Sequence, residues 1–197
     1  MIGGDIDLIK TGALYHDVGK LHAPNWFIEN QDGSKNPHDE IDNPFRSAEV
    51  LQAHVDEGLH YARKNRLPKP IANFIPEHQG TLKMGYFFQK AKEKNLKINE
   101  NDFRYKGPIP QSKETAILML ADGCEAALRA MNINASDNEA LETISRIIYS
   151  RKKDGQLDNS NLSKGEIFLI KRAFLNVWKR IRHRRIQYPT TKNNTFS

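Results

Sequence analysis

The chain has 197 residues, of which 27% are charged and 38% hydrophobic; that is enough to enclose one sizeable core, and nothing in the length asks for a second domain. No apolar run approaches the roughly 18 residues that cross a bilayer, and the N-terminus lacks the apolar stretch of a secretory signal, so the chain as given reads as soluble. The single cysteine, Cys124, excludes an internal disulfide and a thiolate-rich metal site, while a formal charge of +6 leans toward anionic partners.

Helical periodicity dominates, with no alternating strand pattern and no internal repeat, so the predicted fold is all-α. In the first segment Ile2, Ile6, Ile9, Ala13 and His16 recur at spacings of four and three. They are expected to share the inward face of a helix running to about Val18. Residues 22–43 hold Pro24, Asn30, Gly33, Asn36, Pro37 and Asn43 and read as a long polar loop of the kind that often carries function. Pro44 opens a second helix, carried by Ala48, Leu51, Val55, Leu59 and Ala62 and stopped before Pro68, with His54 at the edge of its apolar face.

A short helix over 69–77 leads into "PEHQG", where Gly80 ends it and places His78 near a helix terminus; a further helix covers about 81–95. Beyond the loop "NDFRYKGPIPQ", a helix from about Ser112 to Met131 contains "TAILMLADGCEAAL". The last helix starts at Ser163, which forms a capping-box pattern with Glu166, and continues through "KRAFLNVWKRIRHRR" at 171–185 toward Pro189. That stripe holds seven Lys and Arg and no acid. A solvated helix face explains it, as would phosphate ligands, an acidic neighbouring domain or an anionic membrane surface. Residues 191–197 read as a disordered tail, which leaves one domain over 1–190.

Asp122 follows the apolar run "AILMLA" and is expected to be at least half buried. A buried carboxylate left alone costs several kcal/mol, so a cation, a metal or a set of hydrogen-bond donors must meet it; a helix cap or an Arg pair would also serve. His16, Asp17, His54 and His78 join it as residues at the apolar edge or end of predicted helices. A mixed imidazole and carboxylate set suits Mn²⁺, Fe²⁺ or Zn²⁺. No compact local motif such as HExxH is present, so the residues alone leave open both a metal centre and a scatter of unrelated polar groups. His22 and His38 in the polar loop, and His60 on the charged side of its helix, are expected to be solvated. His183 belongs to the basic stripe, as a phosphate contact or a packing residue, and Cys124 reads as a buried small hydrophobe rather than a nucleophile.

The segments "YHDVGK", "AHVDEGL", "FIPEHQGT" and "KETAILMLADGCEAALR" resemble the HD-domain superfamily of metal-dependent phosphohydrolases. A wider ordered set, "GALYHDVGK", "FIENQDGSKNPHDE", "HVDEGLHYARKNRLP", "FIPEHQGT", "YFFQKAKE", "FRYKGPIPQSKETAILMLAD" and "HRRIQYP", is similar to the cytoplasmic HD domain of the seven-transmembrane-receptor HD (PgpH-type) proteins. The resemblance implies an HD-domain helical bundle, part of a membrane-anchored phosphodiesterase that hydrolyses cyclic di-AMP to pApA with two iron or manganese ions. It makes His16 and Asp17 the HD pair, His54 and His78 the following metal histidines, and Asp122 the closing aspartate. Asp17 would then bridge two ions about 3.5 to 4 Å apart that activate a water and hold the phosphoryl oxygens. Lys20 would set its ammonium against a phosphate oxygen, or serve as a helix C-terminal cation. Arg104, Tyr105 and Lys113 flank the Gly-Pro-rich loop and would contact base or phosphate. The expected partner is a cyclic dinucleotide and not a nucleic acid, and a homodimer stays open.

Two departures from the family pattern stand out. The family's first ligand histidine lies further upstream of the HD pair than the fifteen residues that precede His16. The sequence is thus either a piece of a longer protein or short of one ligand. Many relatives also carry a second histidine where Gln79 stands; a neutral amide binds one ion more weakly, or orients water or substrate. A degenerate HD domain that binds nucleotide without hydrolysing it is the alternative these departures motivate, and a helical nucleic-acid-binding domain built on the 171–185 stripe is a third.

Overall fold

The computed structural model describes residues 2–183 apart from Asp32, Ser34 and Asn95, with the His183 side chain also outside the description. The expected tail at 191–197, and the end of the basic stripe, lie outside the described residues. Among the described residues the chain is a helical bundle whose only strand-like pairing is the isolated bridge between Lys83 and Arg104.

Helix α1 spans Ile6–Tyr15 and starts at an N-cap, Asp5, whose carboxylate accepts from the amides of Asp7 and Leu8. It is shorter than its periodicity predicts, and its packed face is different. Ile6 is 66% exposed and Ala13 is exposed, whereas Leu8, Ile9 and Gly12 turn inward. The reason is Gly12: it lies so close to the Phe74 ring that a β-carbon there would sit 2.5 Å from it. The helix therefore rolls onto its small residue instead of its isoleucine stripe. After His16 and Asp17 the chain tightens into a 3₁₀ turn, Val18–His22.

The region expected to be a long loop is instead pinned by short turns, 3₁₀ at Pro24–Trp26 and Ile28–Asn30, then α2 at Pro37–Glu40. His38 is correspondingly not solvated. It is 8% exposed, its Nε2 lies 3.0 Å from the Trp26 carbonyl, and its ring packs between Trp26 and Phe87. Polar composition did not announce this, because a histidine can close a loop by spending its polar atoms on the backbone. His22 and His60 are exposed, as expected.

Helix α3, Pro44–Lys64, has Asn43 as its N-cap and Pro44 at its first position. Two short helices, α4 at Lys69–Ala72 and α5 at Phe74–Glu77, replace the single helix predicted over 69–77, and α6 runs Gly85–Glu93. Helix α7, Lys113–Arg129, starts at the Ser112 cap. Helix α8, Asp137–Lys153, was not among the expected elements, although Ser136 and Glu139 form a full capping box at its start. Helix α9, Lys164–His183, carries the Ser163–Glu166 box as expected.

Two buried clusters hold these helices together. Ala116, Leu120 and Cys124 of α7 meet Ile144 and Ile148 of α8, Leu157 from the turn that follows α8, and Ile170 of α9. Ala48 of α3 meets Met84, Phe87 and Ala91 around α6, with Phe103. Cys124 is buried in the first cluster and its thiol is pushed up to about 12 by that burial, so it packs as a hydrophobe. Truncating Leu120, which is fully buried, should cost about 3 kcal/mol of stability, read as a lower urea midpoint with unchanged slope.

Candidate metal centre

Four elements converge on Asp17. His16 ends α1, its amide donating to Gly12 O at 2.9 Å, and Asp17 follows at φ −105°, ψ 12°, leaving the helical path. His54 lies in the middle of α3, His78 ends α5, and Asp122 lies just past the middle of α7. The close approach of α1's exit to α3 depends on Gly19: a β-carbon there would fall 1.8 Å from the His54 carbonyl oxygen and 2.5 Å from the Gly58 nitrogen. Across the same contact, α3 presents Gly58.

The three histidines share one device. In each, Nδ1 donates to a backbone carbonyl one turn back: His16 to Ala13 at 2.8 Å, His54 to Leu51 at 2.5 Å, and His78 to Ile75 at 2.7 Å. A carbonyl can only accept, so Nδ1 carries the proton and each neutral ring keeps its lone pair on Nε2. Those Nε2 atoms point at one carboxylate. From Asp17 Oδ2 to His16 the separation is 3.1 Å, and from Oδ1 it is 3.6 Å to His54 and 3.4 Å to His78. Asp122 Oδ1 stands 4.0 Å from His16 Nε2.

Such an arrangement is unfavourable without a cation. Among the described residues His16 Nε2, His54 Nε2 and Asp17 Oδ1 are buried and have no hydrogen-bond partner, and lone pairs turned toward a carboxylate repel it. One ligand atom each from His16, Asp17 and His78 falls within 4.8 Å of the others. A nitrogen and oxygen donor set fixed through backbone carbonyls behind the rings fits a divalent transition metal.

The electrostatics agree. Burial, helped by the neighbouring His78, pushes His54 down to about 4, so its ring is neutral at pH 7. Burial opposes ionisation of Asp17, but the His16 and His78 imidazoles beside it outweigh that and hold the carboxyl well below the usual carboxylate range. His16 is raised: burial lowers it, and Asp17 more than compensates. A proton on His16 Nε2 and a divalent cation therefore compete for one lone pair.

Lys20 is neither a free cap nor a solvated cation. Its Nζ lies 2.6 Å from Asp17 Oδ2, pairs with Glu29 and sits over the Phe27 ring. Burial works against the charge, but the two acids raise its pKa. Gln79 is at hand as well, its amide nitrogen donating to His78 Nε2 at 2.9 Å. Tyr105 stands with its ring 6.0 Å from that of His54 and its phenol pushed up by burial and by Asp17 and Asp122.

Arg104 and Lys113, expected beside the substrate, are engaged by acids of the chain itself. Arg104 spends its guanidinium on Glu100, on Asp154 and on the Thr81 carbonyl at 2.8 Å. Lys113 pairs with Glu166 and ties α7 to α9. Both are saturated by their own acids and act on the scaffold. Arg104 shares that work with Gln156, fully buried, whose side-chain oxygen accepts from Thr81 N at 3.0 Å and whose amide donates to Thr81 Oγ1 at 2.8 Å. Together they fix the turn after His78, where Gly80 takes φ +53°.

Glu77 is buried beside His78 and accepts from Gln111 N and Thr115 Oγ1 at 2.8 and 2.6 Å, locking α5 to the start of α7. Gln156 and Glu77 did not stand out in the sequence, because the groups they hold lie 34 to 75 positions away. Replacing Gln156 by alanine is expected to lower turnover roughly 10-fold through a loosened His78, with little change in the helix content seen by circular dichroism.

Comparison with known proteins places this centre in context. Residues 1–127 match the family model described as the HD domain. An uncharacterized protein of Synechocystis is 47% identical over 190 residues, 94% of this chain and 23% of its own length. The cyclic-di-AMP phosphodiesterases PgpH of Listeria monocytogenes and Bacillus subtilis are each 38% identical, over 98% and 95% of this chain and 26% of theirs. The chain thus spans about a quarter of the length of these curated relatives. Among solved structures, the HD domain of the L. monocytogenes phosphodiesterase PgpH in complex with cyclic di-AMP matches with a TM-score of 0.87 at 36% identity, covering 91% of this chain and 83% of that one.

Proposed function

The chain belongs to the HD-domain family, and from that premise we propose that it is a metal-dependent phosphodiesterase that opens a cyclic dinucleotide, cyclic di-AMP, to the linear pApA. The observation that carries the proposal is the convergence of three lone-pair-bearing Nε2 atoms and two aspartates on one buried point. The relatives whose printed activity is cyclic di-AMP hydrolysis, and the cyclic di-AMP complex of one of them, support the substrate.

His16, Asp17, His54, His78 and Asp122 would hold two divalent ions, manganese or iron. Bound there, the metal supplies Lewis acidity, lowering the pKa of water toward neutrality and neutralising charge on the phosphoryl oxygens. The chain's own groups supply the rest. Lys20 keeps Asp17 ionised and oriented through its 2.6 Å contact and adds positive charge beside the phosphate. Tyr105 walls the site next to His54 and offers a phenolic hydroxyl that stays protonated at neutral pH. The backbone carbonyls of Ala13, Leu51 and Ile75 hold the rings in the productive tautomer.

Among the described residues no helix is long and apolar enough to cross a membrane. The proposal assigns membrane anchoring, which the family resemblance implies, to sequence outside this chain.

The test is product analysis after incubating the Mn²⁺-supplemented protein with cyclic di-AMP, cyclic di-GMP and bis(p-nitrophenyl) phosphate. Conversion of cyclic di-AMP to pApA in preference to the others supports the proposal. Tight nucleotide binding with no product would instead assign a regulatory HD domain, with Gln79 blocking His78. Substituting Lys20 by methionine should lower kcat roughly 10- to 100-fold, and arginine should restore part of it.

A further inference from the structure

Arg151 is a further cation beside Asp122, and among the described residues no side chain pairs with it. It lies on α8 one turn beyond Ile147 and Ile148, on the face turned to α7. Its guanidinium rests against Gly123, the residue after Asp122: a β-carbon there would meet Nη2 at 3.2 Å and Cζ at 3.9 Å. Its Nε is buried and has no hydrogen-bond partner. Among the described residues no carboxylate lies within ion-pair distance of it. The acids it faces are Asp122 and Asp154, with the Tyr105 phenol and the Cys124 thiol also nearby. Asp154 is already committed to Arg104, and Asp122 to the metal centre.

Arg151 is half-buried, and a guanidinium partly withdrawn from water with its Nε unpartnered and no carboxylate in ion-pair range loses solvation that no ion pair returns. A fixed fork of donors is also the group best matched to a phosphate. Resting on the phosphodiesterase reading above, we propose that Arg151 binds the second, non-scissile phosphate of the cyclic dinucleotide, on the Asp122 side of the centre. Lys20 occupies the opposite flank, against Asp17. A cyclic dinucleotide carries two phosphodiesters, so when one is seated on metal the other presents a second anion that a separate cation can hold. Gly123 keeps α7 thin enough for the guanidinium to reach that position. Arg151 is thus a specificity residue for substrates with two phosphates.

The experiment compares wild type with Arg151→Met and Arg151→Lys, all Mn²⁺-loaded, on cyclic di-AMP and on bis(p-nitrophenyl) phosphate, which has a single phosphate. The expected result is a rise in KM for cyclic di-AMP of roughly 10-fold or more in R151M, smaller in R151K. Turnover of the single-phosphate diester, bound manganese and the thermal midpoint should stay at wild-type levels, the midpoint rising if anything. Equal losses on both substrates with less bound metal would overturn the inference and make Arg151 a support for Asp122. R151M kinetics like wild type on cyclic di-AMP would overturn it alone. Wild type inert on both diesters would overturn the phosphodiesterase reading and this inference with it.

Discussion

Asp17→Asn is expected to lower kcat on cyclic di-AMP by roughly a thousandfold or more while leaving the helix content intact. The carboxylate is the one group that meets His16, His54, His78 and Lys20 together, at 2.6 to 3.6 Å. Asparagine keeps the shape and removes the charge, so a carboxylate that would hold a metal becomes a neutral amide. A loss of about 4 kcal/mol of transition-state stabilisation corresponds to that factor. Lys20 retains Glu29 as a partner, so the substitution does not strand a buried cation. Steady-state kinetics with a circular dichroism control checks the prediction, and a variant within tenfold of wild type would remove Asp17 from the mechanism.

The second large effect is structural. Gly19→Ala should destabilise the protein by more than about 4 kcal/mol and abolish activity, because the new methyl would fall 1.8 Å from the His54 carbonyl oxygen and 2.5 Å from the Gly58 nitrogen. Both obstacles are backbone, so no side-chain rotation relieves the clash. Either the Val18–His22 turn lifts off α3 or α3 bends; both separate Asp17 from His54. Chemical denaturation and the same kinetic assay read the two consequences. By contrast Gly85→Ala, at a position with open space around it, should leave stability within about 0.5 kcal/mol of wild type.

These two residues also mark where sequence reasoning is strong and where it stops. His16, Asp17, His54, His78 and Asp122 are legible because each is a polar group on an otherwise apolar helix edge, a pattern that requires a partner. Helices α3, α7 and α9 are legible from caps and periodicity. Helix α1 is legible in kind but not in orientation, since a glycine against Phe74 outweighs the Ile6 and Ala13 spacing. Helix α8 had a capping box and buried isoleucines in plain view, yet it lies among polar neighbours and was not expected. The supports of the site were the least visible. Gln156 and Glu77 act through partners distant in sequence, and Arg151 sits on the unexpected helix. Arg104 and Lys113 were visible as basic residues beside a loop, but the acids that the folded chain sets against them were not.

The most direct test of the centre is a Mn²⁺ titration followed by electron paramagnetic resonance, in wild type and in His54→Ala. His54 is buried, neutral at pH 7 and aimed at Asp17, so its only consequence for the ion is its lone pair. Wild type is expected to take up Mn²⁺ with quenching of the free-ion signal at stoichiometric concentrations, and H54A to require at least about 10-fold more. Identical titrations for the two proteins, or no uptake by wild type, would contradict a metal centre at these residues.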